Sequence, residues 1–195
     1  MDPLKRIEYR GHFIEIYHDD SAEDPTGGDG WLSTFSHWHR RYTFAKCAKR
    51  VRYSTLMESI PQLKDELGVS IPVSMLDHSE ITLWEGAGAH PTDSRGWDSG
   101  QVGFLWTDKG RIRQHLGYEL TAETVEKVKE QLRQELKVLE AWVSGKCYGY
   151  STRDQGDEGP GDRLDSCFGF VGDWDYVIQE AKASIDLHFE LVKHN

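Results

Sequence analysis

Three short stretches carry the residue types from which a site can be built: Asp77-His78-Ser79, Trp97-Asp98-Ser99-Gly100-Gln101 and Asp165-Ser166-Cys167. An Asp beside a His can orient a general base, and a nearby Ser can serve as nucleophile. His78, Asp77, Asp98 and Ser99 are therefore the catalytic candidates. Two counter-arguments stand beside that reading. Neighbouring residues on a strand face opposite sides, so Asp77 does not naturally orient His78, and no G-x-S-x-G elbow is present. Asp, Ser and Gly are also the ordinary turn residues, because their short side chains bond local backbone. In GWDSGQVGFLW (Gly96 to Trp106) the glycines at 96 and 100 are expected to shape a tight turn, with Asp98 and Ser99 bonding backbone amides. Trp97 and Gln101 are then left to meet a ligand. Tyr148 and Tyr150, two apart on a predicted strand, share a face and join the binding candidates.

His37-Trp38-His39 is a second lead. On a strand the two imidazoles share a face, a spacing used by metal sites, and a carboxylate such as Asp77 or Asp98 can complete a shell. Hydrogen-bonded histidines without a metal are the alternative, and the expectation is no metal and no cofactor. Asp154 to Asp165, DQGDEGPGDRLD, has the length of a calcium loop. It lacks an acid at its third position, places Pro160 seventh and ends in Asp rather than Glu. PTGGDG is followed by no G-K-[ST] and cradles no phosphate.

Charge is unevenly spread. The chain of 195 residues carries a formal −10, yet His37–Tyr53 holds six cations (Arg40, Arg41, Lys46, Lys49, Arg50, Arg52) and no acid, which leaves −16 on the rest. An acidic whole disfavours general nucleic-acid binding, where phosphate contacts dominate affinity. The basic segment leaves room for an anionic ligand at Arg40 and Arg41.

These candidates need elements to position them. Ile7–Tyr9 and Phe13–Tyr17 alternate as a β-hairpin, and His18–Gly30 is loop by composition. A strand is expected over Trp38–Phe44, and a short helix over Leu56–Leu67 closed by Gly68. Ile71–Leu76 and Ile81–Glu85 read as a hairpin, and Val102–Trp106 as a strand. Val125, Val128, Leu132, Leu136, Leu139 and Val143 form one apolar stripe on a helix capped by Thr121. Cys147–Tyr150 and Cys167–Val171 are short strands. A last helix, capped by Asp173, presents Trp174, Val177, Ile178, Ala181, Ile185, Phe189 and Val192. The expectation is a single α+β domain over residues 1–195, an antiparallel sheet of hairpins with two long amphipathic helices on one face. Three scattered cysteines read as reduced thiols. No signal peptide or spanning segment is expected, which suits a cytoplasmic location without membrane partners.

Taken in order, YRGHFIEIYHDD, HRRYTF, LDHS, WDSGQVGF, YGY and DSCFGFVGD resemble an uncharacterised family of small proteins carried by phages and other mobile elements. The resemblance runs from about Tyr9 to Asp173, and WDSGQVG is its most distinctive element. It implies a bacterial host cytosol and carries no activity or catalytic residue with it. In that setting the first expectation is an accessory protein that binds a host protein, inhibiting a defence or nucleic-acid-processing enzyme. The alternative is a small hydrolase or nucleotide-modifying enzyme using His39, Arg40, Asp77, His78, Asp98, Ser99 and Gln101. A third reading makes residues 37–53 a nucleic-acid contact, with Tyr42 or Phe44 stacking on a base.

Overall fold

The computed structural model describes residues 2–64, 68–93, 95–156 and 159–193. The α+β class expected from the sequence is what the chain adopts, but the strands form two sheets with one long helix on each, not the expected single sheet with both helices on one face. The chain gathers into two compact units, Met1–Glu23 with Gly145–Asn195, and Asp24–Ser144.

The first unit is made from both ends of the chain. Strands β1 (Lys5–Tyr9) and β2 (His12–His18) form the expected hairpin, turned at Arg10 and Gly11, both with positive φ. The strands β8 (Cys147–Gly156) and β9 (Gly159–Val171) complete a sheet in the order β1-β2-β8-β9, antiparallel throughout. The two strands expected to be short, Cys147–Tyr150 and Cys167–Val171, thus extend through most of the stretch between them: Arg153 pairs with Arg163 and Gln155 with Pro160, while residues 157 and 158 lie outside the described ones. Helix α4 (Trp174–Lys193) lays Val177, Ile178, Ala181 and Ile185 on Ile14, Ile16 and Tyr150, as its periodicity predicts. The side chain of Val192 lies outside the described ones. Asp173 accepts the Asp175 amide at 3.0 Å, the expected cap.

The second unit holds β3 (Thr34–His37), β4 (Ala48–Arg50), helix α1 (Leu56–Ser59), β5 (Gly68–Asp77), β6 (Ile81–Glu85), β7 (Ser99–Asp108), α2 (Lys109–Leu116) and α3 (Val125–Val143). Its sheet runs β4-β3-β7-β5-β6, with β3 and β4 parallel and the other pairs antiparallel. The all-antiparallel expectation fails only at that edge. Helix α3 buries Val128, Leu132, Leu136 and Leu139 against Val69, Ile71, Val73, Leu83 and Leu105. Its stripe also hides a carboxylate. Glu135, 4% exposed, accepts the amides of Leu32 at 2.8 Å and Ser33 at 2.9 Å, which ties the loop before β3 to the helix.

Three local expectations are corrected. The strand placed at Trp38–Phe44 ends at His37, and the next residues curl back until Phe44 takes φ 60°. The helix placed at Leu56–Leu67 keeps one α turn and then a 3-10 turn, Pro61–Leu63, since Pro61 removes a helical donor; residues 65–67 lie outside the described ones. Gly68 opens β5 instead of closing a helix. Thr124, not Thr121, is the residue before α3, and its hydroxyl accepts the Thr121 amide at 2.8 Å. Among the described residues no helix is long and apolar enough to cross a membrane.

Candidate functional site

Strand order decides where the polar stretches go. β3 and β5 both run antiparallel to β7, so the ends of β3 and β5 and the start of β7 lie at one edge of the sheet. His39, Arg40 and Arg41 follow β3, Asp77 ends β5, and Trp97 and Asp98 lead into β7 through Ser99 and Gln101. All of them line one open cleft of about 460 Å³, with Trp38, Met75 and Val102 as its apolar wall. The stretches HRRYTF, LDHS and WDSGQVGF thereby meet in space. Close approach of β3 to β7 depends on Gly103, where a Cβ would lie 2.4 Å from the Ser36 carbonyl oxygen and 2.8 Å from the Phe35 ring.

At the floor the Asp77 side chain is 12% exposed, and each of its oxygens accepts a hydrogen bond. Tyr42 donates its hydroxyl to Oδ1 at 2.8 Å, the Arg41 guanidinium donates to Oδ2, and Nε2 of His39 lies 3.9 Å from the same oxygen. The Asp77 amide is also used, on the Asp98 carbonyl at 2.8 Å. Its hydrogen bond to Asp77 raises the Tyr42 pKa. His39 stacks on Tyr42 at 5.0 Å and 13°. Burial lowers its pKa although Asp77 pulls the other way. The alternating pattern put His37 and His39 side by side as metal candidates. His37 instead sits between Phe35 and Phe44, 1% exposed, with ring centroids 5.5 and 4.7 Å away. Burial, helped by the charges of His39 and Arg50, pushes its pKa down to about 4. Among the described residues no three His, Cys, Asp or Glu side chains gather as a metal ion requires.

The rim is organised by Asp93, a residue the sequence reading missed. Its carboxylate accepts the amides of Trp97 at 3.2 Å and Asp98 at 2.9 Å, and the Ser99 hydroxyl at 2.8 Å. The Ser99 bond, followed by those amides, holds its pKa below the usual carboxylate range despite some burial. The available signal was an Asp placed four to six residues ahead of three donors. Gly96, at φ 64°, supplies the turn, and its amide bonds the Asp93 carbonyl at 2.9 Å. Gly100, expected to share that role, lies in β7. Ser99 also accepts the His90 amide at 2.9 Å, so its oxygen is committed as both donor and acceptor. Asp98 does not bond the local amides expected of it. Its side chain faces His78 at 3.5 Å, both well exposed. Gln101 donates weakly to the Gly103 carbonyl at 3.4 Å. Trp97 is 80% exposed, with Arg95 5.9 Å from its ring. Arg40 is exposed and makes no hydrogen bond or ion pair with the described residues.

The remaining candidates belong to the first unit. Tyr150, 5% exposed, donates to Asp165 at 3.0 Å, and Ser184 donates to the same oxygen at 2.5 Å. Burial and the Asp165 bond push the Tyr150 pKa up to about 12. Tyr148 packs between His18 and Trp174. Both tyrosines face α4 and hold the sheet to it, so neither is free to grip a ligand. No protein-family model, curated protein or solved structure matches this chain.

Proposed function

We propose that this protein acts by binding, as an accessory protein of a phage or mobile element that engages a host protein through the cleft. One observation carries the reading. Asp77 and Ser99 are held in hydrogen bonds with Tyr42, Arg41, Asp93 and the His90 amide, while an 80% exposed Trp97 and an Arg40 with no partner among the described residues stand at the mouth of the cleft. Trp and Arg beside a Tyr are the side chains that dominate binding energy at protein interfaces. A nucleophilic serine needs a base in reach. Ser99 donates to a carboxylate already bound to two amides, and each oxygen of Asp77 already accepts a hydrogen bond, from Tyr42 and from Arg41. Inhibition of a host defence or nucleic-acid-processing enzyme is the outcome this proposal favours, since the formal −10 of the whole chain steers it at long range towards a basic partner.

Tagged full-length protein should retain a stoichiometric bacterial protein in capture experiments. Trp97→Ala and Arg40→Glu should each release it while the melting temperature stays unchanged. Retention by both folded variants would remove the cleft from the interaction. An enzymatic reading keeps one favourable observation, His39 beside Asp77 at 3.9 Å with its pKa lowered by burial. It requires that folded Asp98→Asn and His78→Ala proteins lose biological activity. Full activity in both ends that reading.

A further inference from the structure

The first unit's sheet has a second face, turned away from α4. Alternation puts Ile14, Ile16 and Tyr150 under the helix, and Glu15, Tyr17, Ser151 and Arg153 on the opposite side. Register extends that side across the sheet: Ser151 faces Ser166, Arg153 faces Arg163, and Gly149 faces Phe168. Tyr17, Ser151, Arg153, Arg163, Ser166 and Phe168 together line a pocket of about 280 Å³. We propose that this pocket binds a small phosphate monoester carrying a planar ring, with the phosphate among the arginines and serines and the ring on Phe168.

Four observations support it. Ser151 is 5% exposed, and its hydroxyl oxygen has no hydrogen-bond partner, a costly state unless a ligand supplies one. Arg153 is pre-positioned: its Nε donates to Glu15 at 3.0 Å, and its Nη1 reaches the Gly161 carbonyl at 3.5 Å, which leaves Nη2 without a partner among the described residues. Arg163 is exposed and unpaired among the described residues. Phe168 is 51% exposed, 6.4 Å from the Tyr17 ring, and held across Gly149, where an added Cβ would come within 2.2 Å of it. Two guanidiniums and two hydroxyls suit the several oxygens of a phosphate better than a single carboxylate. Glu15 tunes rather than blocks the site. It is buried under Arg6, Arg153 and Tyr17, and although burial raises its pKa, the bonds from Tyr17, Arg6 and Arg153 hold it below the usual carboxylate range. It thus stays charged and fixes Arg153, and Arg163 supplies the net attraction.

Calorimetric titration of the full chain with adenosine monophosphate, phenyl phosphate, inorganic phosphate and adenosine tests this. A ring-bearing phosphate should bind at about 0.1 mM or tighter, and at least tenfold tighter than adenosine. The tighter of the two esters identifies a nucleobase or a single ring. Arg163→Gln should weaken it about tenfold and Ser151→Ala severalfold. Phe168→Ala should weaken the esters but not inorganic phosphate. Arg40→Gln, in the other unit's cleft, should leave ester binding as it is whatever it does to partner capture, so this test is independent of the proposed cleft function. Equal binding of ester and adenosine overturns the proposal. So does an unchanged Arg163→Gln protein, or loss of binding in Arg40→Gln instead.

Discussion

Asp93 shows how one short side chain can set the mouth of a cleft. Its carboxylate gathers two amides and a hydroxyl, and those bonds are what keep Trp97 projecting into solvent instead of folding back. Asp93→Ala should therefore abolish partner capture almost as fully as Trp97→Ala, with only a small loss of stability. Asp93→Asn should recover part of it, because the amide oxygen still accepts. A variant that binds like the parent would show the loop to be held by other contacts. His37 makes a different argument from the same segment. Folding lowers its pKa from 6.5 to about 4, so as pH falls the unfolded chain takes up the proton first. The stability contributed by its neutral burial is complete above pH 6.5 and drains away towards pH 4. Between pH 7 and 5 it amounts to about 2 kcal/mol. Urea unfolding at those two pH values should show that loss, and His37→Phe should flatten it. An equal slope in the variant would assign the loss to other groups. Much of this was hidden in sequence: an Asp in a loop has many possible donors, and which imidazole a core covers depends on where a strand stops.

Elements explain why the rest was legible. Hairpins turned at Arg10-Gly11 and at Asp77-His78-Ser79-Glu80 announce themselves by alternation flanking turn residues, and both long helices by stripes at helical spacing. Sequence also grouped Asp77, Asp98, Ser99, Gln101, Arg40 and Arg41 as candidates without showing that β7 lies between β3 and β5, and that order is what makes them one cleft. Trp38–Phe44 alternates like a strand but has no neighbour to pair with beyond Trp38, whose amide makes the last such bond, to Val102 at 3.0 Å. Helix α2 escaped notice because eight residues with one buried side chain, Ile112, give no usable period. Two substitutions probe the packing. Gly103→Ala should cost about 3 kcal/mol, since its methyl meets backbone rather than a yielding side chain. Glu135→Ala should cost a similar amount, about 3 kcal/mol, by orphaning two buried amides. Chemical denaturation measures both. A loss under about 1 kcal/mol in either would mean that the neighbouring backbone relaxes.

At the scale of the whole molecule, charge and core are divided differently. Of the formal −10, the first unit carries −8, from 16 acids and 8 cations, and the second −2, from 17 acids and 15 cations. If the acidic surface steers the protein to a basic partner, capture should weaken steeply as salt rises from 50 to 500 mM, through screening. Capture indifferent to salt would leave the apolar rim of the cleft as the source of affinity. The division also fixes an order of events. β2 and β8 are neighbours in one sheet, yet the whole of Asp24–Ser144 is synthesised between them. Emerging from the ribosome, the β1–β2 hairpin must wait with Ile14 and Ile16 bare while a complete second core is made and can already close. The hairpin is made before the second unit and can be completed only after it, and its apolar face is the segment a chaperone would have that whole interval to meet.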